Sequence, residues 1–205
     1  MASVTGGFRL LASAVRYALA SAEPVTPPML SRPTPCTEWD LETLLDHVSD
    51  SAGVLRQAIA AGCAGPAPPP GDGPGRPSPG DGGPGPDPVC GLHRQTARLL
   101  AACAAAGPAQ RLVAIGDREL TTNMVALAGA LEITVHGWDI SAACGPRRPV
   151  PIGLAAILLP LAPLLITTAT RPGLFADPVP VPAQAGLGDQ LVAFLGRQPR
   201  APSGH

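Results

Sequence analysis

Apolar residues recur along this chain mostly at three- and four-residue intervals, the period of helices that bury one face. Leu11, Val15, Ala18 and Leu19 set such a stripe and predict a first helix over Ser3 to Ala22. A Pro-rich turn, Pro24 to Pro35, leads to a second helix striped by Leu41, Leu44, Leu45, Val48 and Leu55. Asp40 stands at its start, where a carboxylate can accept a hydrogen bond from a backbone N–H of the first turn. A third helix is expected over about Val89 to Ala106, and a fourth over Thr122 to Cys144, stopped by Gly145-Pro146. Between them Arg111 to Leu120 is short and mixed, and Gly116-Asp117 between two apolar pieces predicts a small hairpin. A fifth helix is expected from Gly153 to Thr170, bent or broken near Pro160. Arg171 to Pro182 reads as extended chain, and Leu187 to Leu195 as a short terminal helix. The pattern adds up to an all-α bundle with an irregular C-terminal strap.

Three stretches qualify this picture. From Gly62 to Pro88 the chain is almost entirely Pro, Gly and Asp and has nothing to bury. The expectation is a flexible loop inserted in one domain, residues 1–205, because neither flank is long enough to stand alone. Residues 149–170 carry no charge and approach membrane-spanning length, but Pro160 and Pro163 argue against a lipid-facing helix. The end of the first helix, Ala-Leu-Ala-Ser-Ala, imitates a signal-peptidase site, yet Arg16 interrupts the apolar core such a signal needs. The expectation is a cytoplasmic protein with no membrane partner.

A chain of 205 residues can bury a full core. That core must be built from Leu, Val, Ile and Ala, since there are only two Trp, one Tyr and three Phe. The formal net charge of −1 gives no reason to expect a nucleic-acid partner. All 14 basic residues are Arg, which together with the abundant Ala, Gly and Pro reads as codon bias in a GC-rich genome. The five cysteines, Cys36, Cys63, Cys90, Cys103 and Cys144, are odd in number and include no Cys-x-x-Cys. Neither a disulfide framework nor a zinc knuckle is indicated, and reduced thiols are expected.

The chemistry of the chain concentrates in the fourth helix. Glu132 and His136 lie four apart and stack on one face, and Asp139 continues the stripe. Their neighbours are Ala, Leu, Ile and Val, so the polar groups face water or something neutralises them, which a divalent cation does well. A Glu-x-x-x-His pair alone also fits an ordinary solvated helix face. His47, at the edge of the second helix's apolar stripe, is a candidate third ligand, with a half-buried histidine bonded to a backbone carbonyl as the plainer reading. His93 reads as a surface or packing residue and His205 as part of a disordered end.

Three segments resemble one family. Pro35-Cys36-Thr37-Glu38-Trp39-Asp40 with Leu44-Leu45-Asp46-His47 looks like the helix-two signature of the mycothiol-dependent maleylpyruvate isomerase family. Glu132-Ile133-Thr134-Val135-His136-Gly137-Trp138-Asp139 resembles its helix-four signature. Arg171 to Phe175 with Pro178 to Pro182 is similar to the C-terminal strap of its short, single-domain members. The resemblance implies a DinB-like four-helix bundle, here with an extra C-terminal helix, of largely actinobacterial distribution. It implies a divalent metal, usually zinc, held by His47, Glu132 and His136, with Trp138 and Asp139 supporting from behind. It names mycothiol as the thiol co-substrate. The fuller isomerases carry a second domain after the bundle; none is expected in this chain, and their substrate-binding arginines are therefore not carried over to it.

The reading that follows is a metal- and mycothiol-dependent S-transferase or cis–trans isomerase. Its partners are a small electrophile and a low-molecular-weight thiol, and the protein is expected to be a monomer or homodimer. A metal-dependent hydrolase or cyclase of secondary metabolism is the alternative enzyme, with the metal activating water or polarising a carbonyl. A non-catalytic metal-binding module is the alternative outside enzymes. No cysteine is evident as the nucleophile; Cys144 is nearest in sequence to His136, eight residues on and about 12 Å along the helix axis.

Overall fold

A computed structural model of the chain describes residues 4–36, 39–64, 87–107, 111–115, 118–145, 147–171 and 175–199. It is all-α apart from one minimal sheet. Four helices, α1 (Val4–Ala22), α2 (Leu41–Ala61), α3 (Pro88–Ala106) and α4 (Thr122–Cys144), form a DinB-like bundle. Helices α5 (Ile152–Leu165) and α6 (Leu187–Phe194) pair with each other against it. Most of the 62–88 loop expected from composition, residues 65–86, lies outside the described residues, as do Thr37, Glu38, Gly116, Asp117, Pro146, Pro172 to Leu174 and His205.

The helix ends follow local chemistry. Asp40 caps α2, its Oδ1 accepting from the Thr43 N–H at 2.9 Å and the Thr43 hydroxyl at 2.6 Å. The same helix ends on Gly62 at φ 73°, a left-handed position that suits glycine. Asp87 caps α3 through the Val89 N–H, with Pro88 in the first turn, and Thr121 caps α4 through Met124. The hairpin is present as β2 (Leu112–Ile115) and β3 (Arg118–Thr121), antiparallel, with Leu112 opposite Thr121. A two-residue strand after α2, β1 (Cys63–Ala64), adds to β2 in parallel and was not expected.

Helix α4 is the hub. It packs on α1 most extensively and then on α2. Between Gly129 and Ser141 every residue is buried except Glu132. A helix that is apolar nearly all round belongs inside a bundle. Leu41, Leu44, Leu45, Val48 and Leu55 of α2 are all buried, as the stripe required.

The fifth helix departs from expectation. It ends at Leu165 rather than Thr170, and it stays helical through both Pro160 and Pro163. Each proline removes one intrahelical hydrogen bond. Pro160, Pro163 and Ala156, whose carbonyl loses its donor to Pro160, are all exposed. Water can satisfy the freed carbonyl there, so the helix need not break. With 14 residues it is too short to cross a bilayer, and no described helix is long and apolar enough to do so.

Beyond α5 the chain folds back as a strap braced by two arginines. Arg171 donates to the carbonyls of Ala176 and Phe194 at 2.8 and 3.1 Å and lies over the Phe194 ring. Arg197 lies in turn over Phe175. Gly196 makes the crossing, at φ 79° and so close that a Cβ there would sit 2.6 Å from the Ala176 carbonyl oxygen.

Candidate metal and thiol site

His47 from α2 meets Glu132 and His136 from α4 where the two helices pack. His47 Nε2 lies 3.5 Å from Glu132 Oε1, and one ligand atom from each of the three residues falls within 4.8 Å of the others. The His47 and His136 rings stand edge to face, with centroids 5.1 Å apart. Ser51, one turn beyond His47, donates a short hydrogen bond to the same Glu132 oxygen. Trp39 packs near both rings, its centroid 4.5 Å from that of His47 and 6.0 Å from that of His136.

Glu132 is only partly buried: 34% of its side chain remains accessible, against 18% for His47, so solvent or an ion can reach the carboxylate. Burial works against its negative charge, but the hydrogen bond from His47, the nearby His136 and the Ser51 hydroxyl outweigh burial and hold the carboxyl below its ordinary range.

Behind His136 lies a second, drier cluster. His136 Nδ1 is 3.2 Å from Asp139 Oδ2, one turn along the same helix. Asp139 is fully buried, and Arg197 grips it in bidentate fashion, Nε to Oδ1 at 3.1 Å and Nη2 to Oδ2 at 2.7 Å. Burial again opposes ionisation, and again it loses, here to the hydrogen bonds from His136 and Arg197 and the Arg197 charge, so the carboxyl lies below the usual range. Cys36, in the turn before α2, completes the cluster. Its thiol donates to Asp139 Oδ2 at 3.4 Å and accepts from Arg197 Nη2 at 2.9 Å. Burial chiefly, and then the Asp139 charge, push the Cys36 thiol up to about 12, so it stays protonated.

The three expected metal ligands thus converge, with Asp139 behind His136. Trp138 lies apart from them in its described contacts, buried under the Arg147 guanidinium at 4.9 Å, and its part is packing. His93 is exposed on α3. The cysteine beside the site is Cys36 and not Cys144, because the turn into α2 folds back onto α4. Cys36 lay within the quoted motif, which was the available signal. Arg197, one of two arginines after α6, left none.

The residues present fit a divalent cation. Two imidazoles and a carboxylate form a recognised donor set. Tetrahedral zinc holds its ligand atoms about 3.3 Å apart, close to the 3.5 Å between His47 and Glu132. Cys36, His136 and Asp139 also cluster within 4.8 Å, but Arg197 already supplies a cation to both Asp139 oxygens and to Cys36. A groove of about 860 Å³ elsewhere, lined by Arg9, Tyr17 and Leu154 among others, shares no residue with the site.

Fold and site together define a helical bundle with a His/Glu/His cluster between two of its helices. The chain belongs to the mycothiol maleylpyruvate isomerase N-terminal domain family, which matches residues 11–141. It is 28% identical over 174 residues to uncharacterized proteins of Mycobacterium tuberculosis strains CDC 1551 / Oshkosh and ATCC 25618 / H37Rv, covering 83% of this chain and 86% of each relative. No solved structure gives a significant match.

Proposed function

We propose that the protein is a metal-dependent enzyme that binds a small thiol, mycothiol, and adds it to a small electrophile. The observation that carries this reading is the convergence of His47, Glu132 and His136 around a carboxylate that remains solvent-accessible. A divalent cation held there, zinc above all, would retain an open coordination position and favour thiolate over thiol. Membership of the family supports mycothiol as the thiol.

The chain's own residues have definable parts. His47 and His136 present neutral imidazole lone pairs, and Glu132 one negative charge. Ser51 and Trp39 fix the carboxylate and the His47 ring. An ionised Asp139 can only accept, so it sets the proton of His136 on Nδ1 and leaves Nε2 to the His47 and Glu132 side. Cys36 is held as a neutral thiol by burial and is not the nucleophile, which leaves that part to an incoming thiol. In the reaction a carbon–sulfur bond forms at an activated double bond, and the thiol's proton passes to the neighbouring carbon. Stopping there gives an S-conjugate. Rotation about the resulting single bond and reversal of the addition give cis–trans isomerisation and return the thiol.

The test is turnover of a model electrophile with mycothiol, with another small thiol and with none, in metal-loaded protein. Mycothiol consumption matched to product supports the reading. Equal rates without any thiol would reject it in favour of metal-activated water.

A further inference from the structure

We infer that Arg197 is a positioning residue for the metal site, acting through Asp139 on the ring of His136. This rests on the reading of His47, Glu132 and His136 as ligands. The guanidinium is buried, 6% exposed, in a bundle whose other functional groups come from α2 and α4. It makes four described donations, to each oxygen of Asp139, to the Leu195 carbonyl and to Cys36 Sγ. One side chain therefore ties together the turn into α2, the middle of α4 and the C-terminal strap.

The consequence falls on His136. Asp139 Oδ2 is shared between Arg197 and His136 Nδ1. Without the guanidinium the Asp139 carboxylate plane would be free to turn about its own side chain, and the acceptor facing His136 Nδ1 would no longer be fixed. With Arg197 bidentate on it, Asp139 stays an acceptor in one fixed plane. Metal-binding histidines are commonly held this way by a carboxylate behind them. Here the holder is itself held by a residue 58 positions away on the strap.

The experiment compares full-length wild type with Arg197→Met, Arg197→Lys and a packing control, Phe194→Leu, which disturbs the same strap where its ring lies under Arg171 rather than Arg197. Two quantities are read. The first is the His136 tautomer in metal-free protein, from long-range proton–nitrogen correlation of the labelled ring. The second is zinc affinity by competition with a chelating dye. Wild type and Phe194→Leu are expected to keep the proton on Nδ1 and bind zinc within about twofold of each other. Arg197→Met is expected to lose the single tautomer and to weaken zinc by about tenfold or more, with Arg197→Lys between. If the Met variant does not fold, the Lys variant decides, because it keeps the charge and loses the fork. An unchanged tautomer with unchanged affinity in the Lys and any folded Met variant overturns the inference, as does an equal loss in Phe194→Leu. If wild type binds no zinc, the ligand reading has failed, and the metal-free tautomer still decides the role of Arg197.

Discussion

Asp139 shows how one residue can carry both stability and function. Its carboxyl lies below the usual range because the bonds from His136 and Arg197 overcome the cost of burial. The sign of the pH effect follows. The unfolded chain takes up this proton near the ordinary value of ~3.9, and the folded chain only below it. The stabilisation is thus complete at neutral pH and is lost as pH falls below about 4, which denaturant midpoints across acid pH will check. In Asp139→Asn that component should vanish. The substitution also leaves Arg197 buried without its charge partner, so a loss of about 3–5 kcal/mol is expected at pH 7 by urea unfolding. At this scale the sequence was partly legible. Glu132, His136 and Asp139 share a stripe because a helix puts i, i+4 and i+7 together. Arg197 was not legible, and Cys36 only through the motif around it, because their contacts with Asp139 span 58 and 103 positions and depend on how the strap and the α2 turn pack.

Elements were read best where their ends carry local chemistry. Asp40 and Thr121 cap α2 and α4 with their own side chains, so both starts fell at the expected residues. The fifth helix was misread because a proline's effect depends on which face it occupies, and the face is set by the partner helix. Pro160→Ala restores a donor to the Ala156 carbonyl within a continuous helix. It is expected to stabilise the protein by about 1–3 kcal/mol, seen as a higher Tm. The strap responds in the opposite sense. Gly196→Ala places a methyl at positive φ and against the Ala176 carbonyl. A loss of about 1–3 kcal/mol is expected from the backbone alone. Because Arg197 is the next residue, zinc affinity should fall with it, which dye competition will show.

For the whole molecule, the bundle and the α5–α6 layer are joined by the Arg197–Asp139 pair and by the Tyr17 hydroxyl donating to the Arg148 carbonyl at 2.8 Å. We therefore expect one cooperative thermal transition. Replacing residues 65–86 by a short Gly-Ser linker should leave that transition nearly unchanged, since the segment's sequence holds almost nothing to bury and closure entropy varies slowly with loop length. A large fall in Tm would show that the segment packs on the bundle. The bundle itself was legible from periodicity, while the thiol chemistry rests on family membership and on a ligand set drawn from two helices. The most direct test is the metal content of protein loaded with zinc and freed of excess, measured by elemental analysis in wild type, His136→Ala and His93→Ala. The account predicts about one ion per chain in wild type and His93→Ala and close to none in His136→Ala. Equal content in wild type and His136→Ala would contradict it.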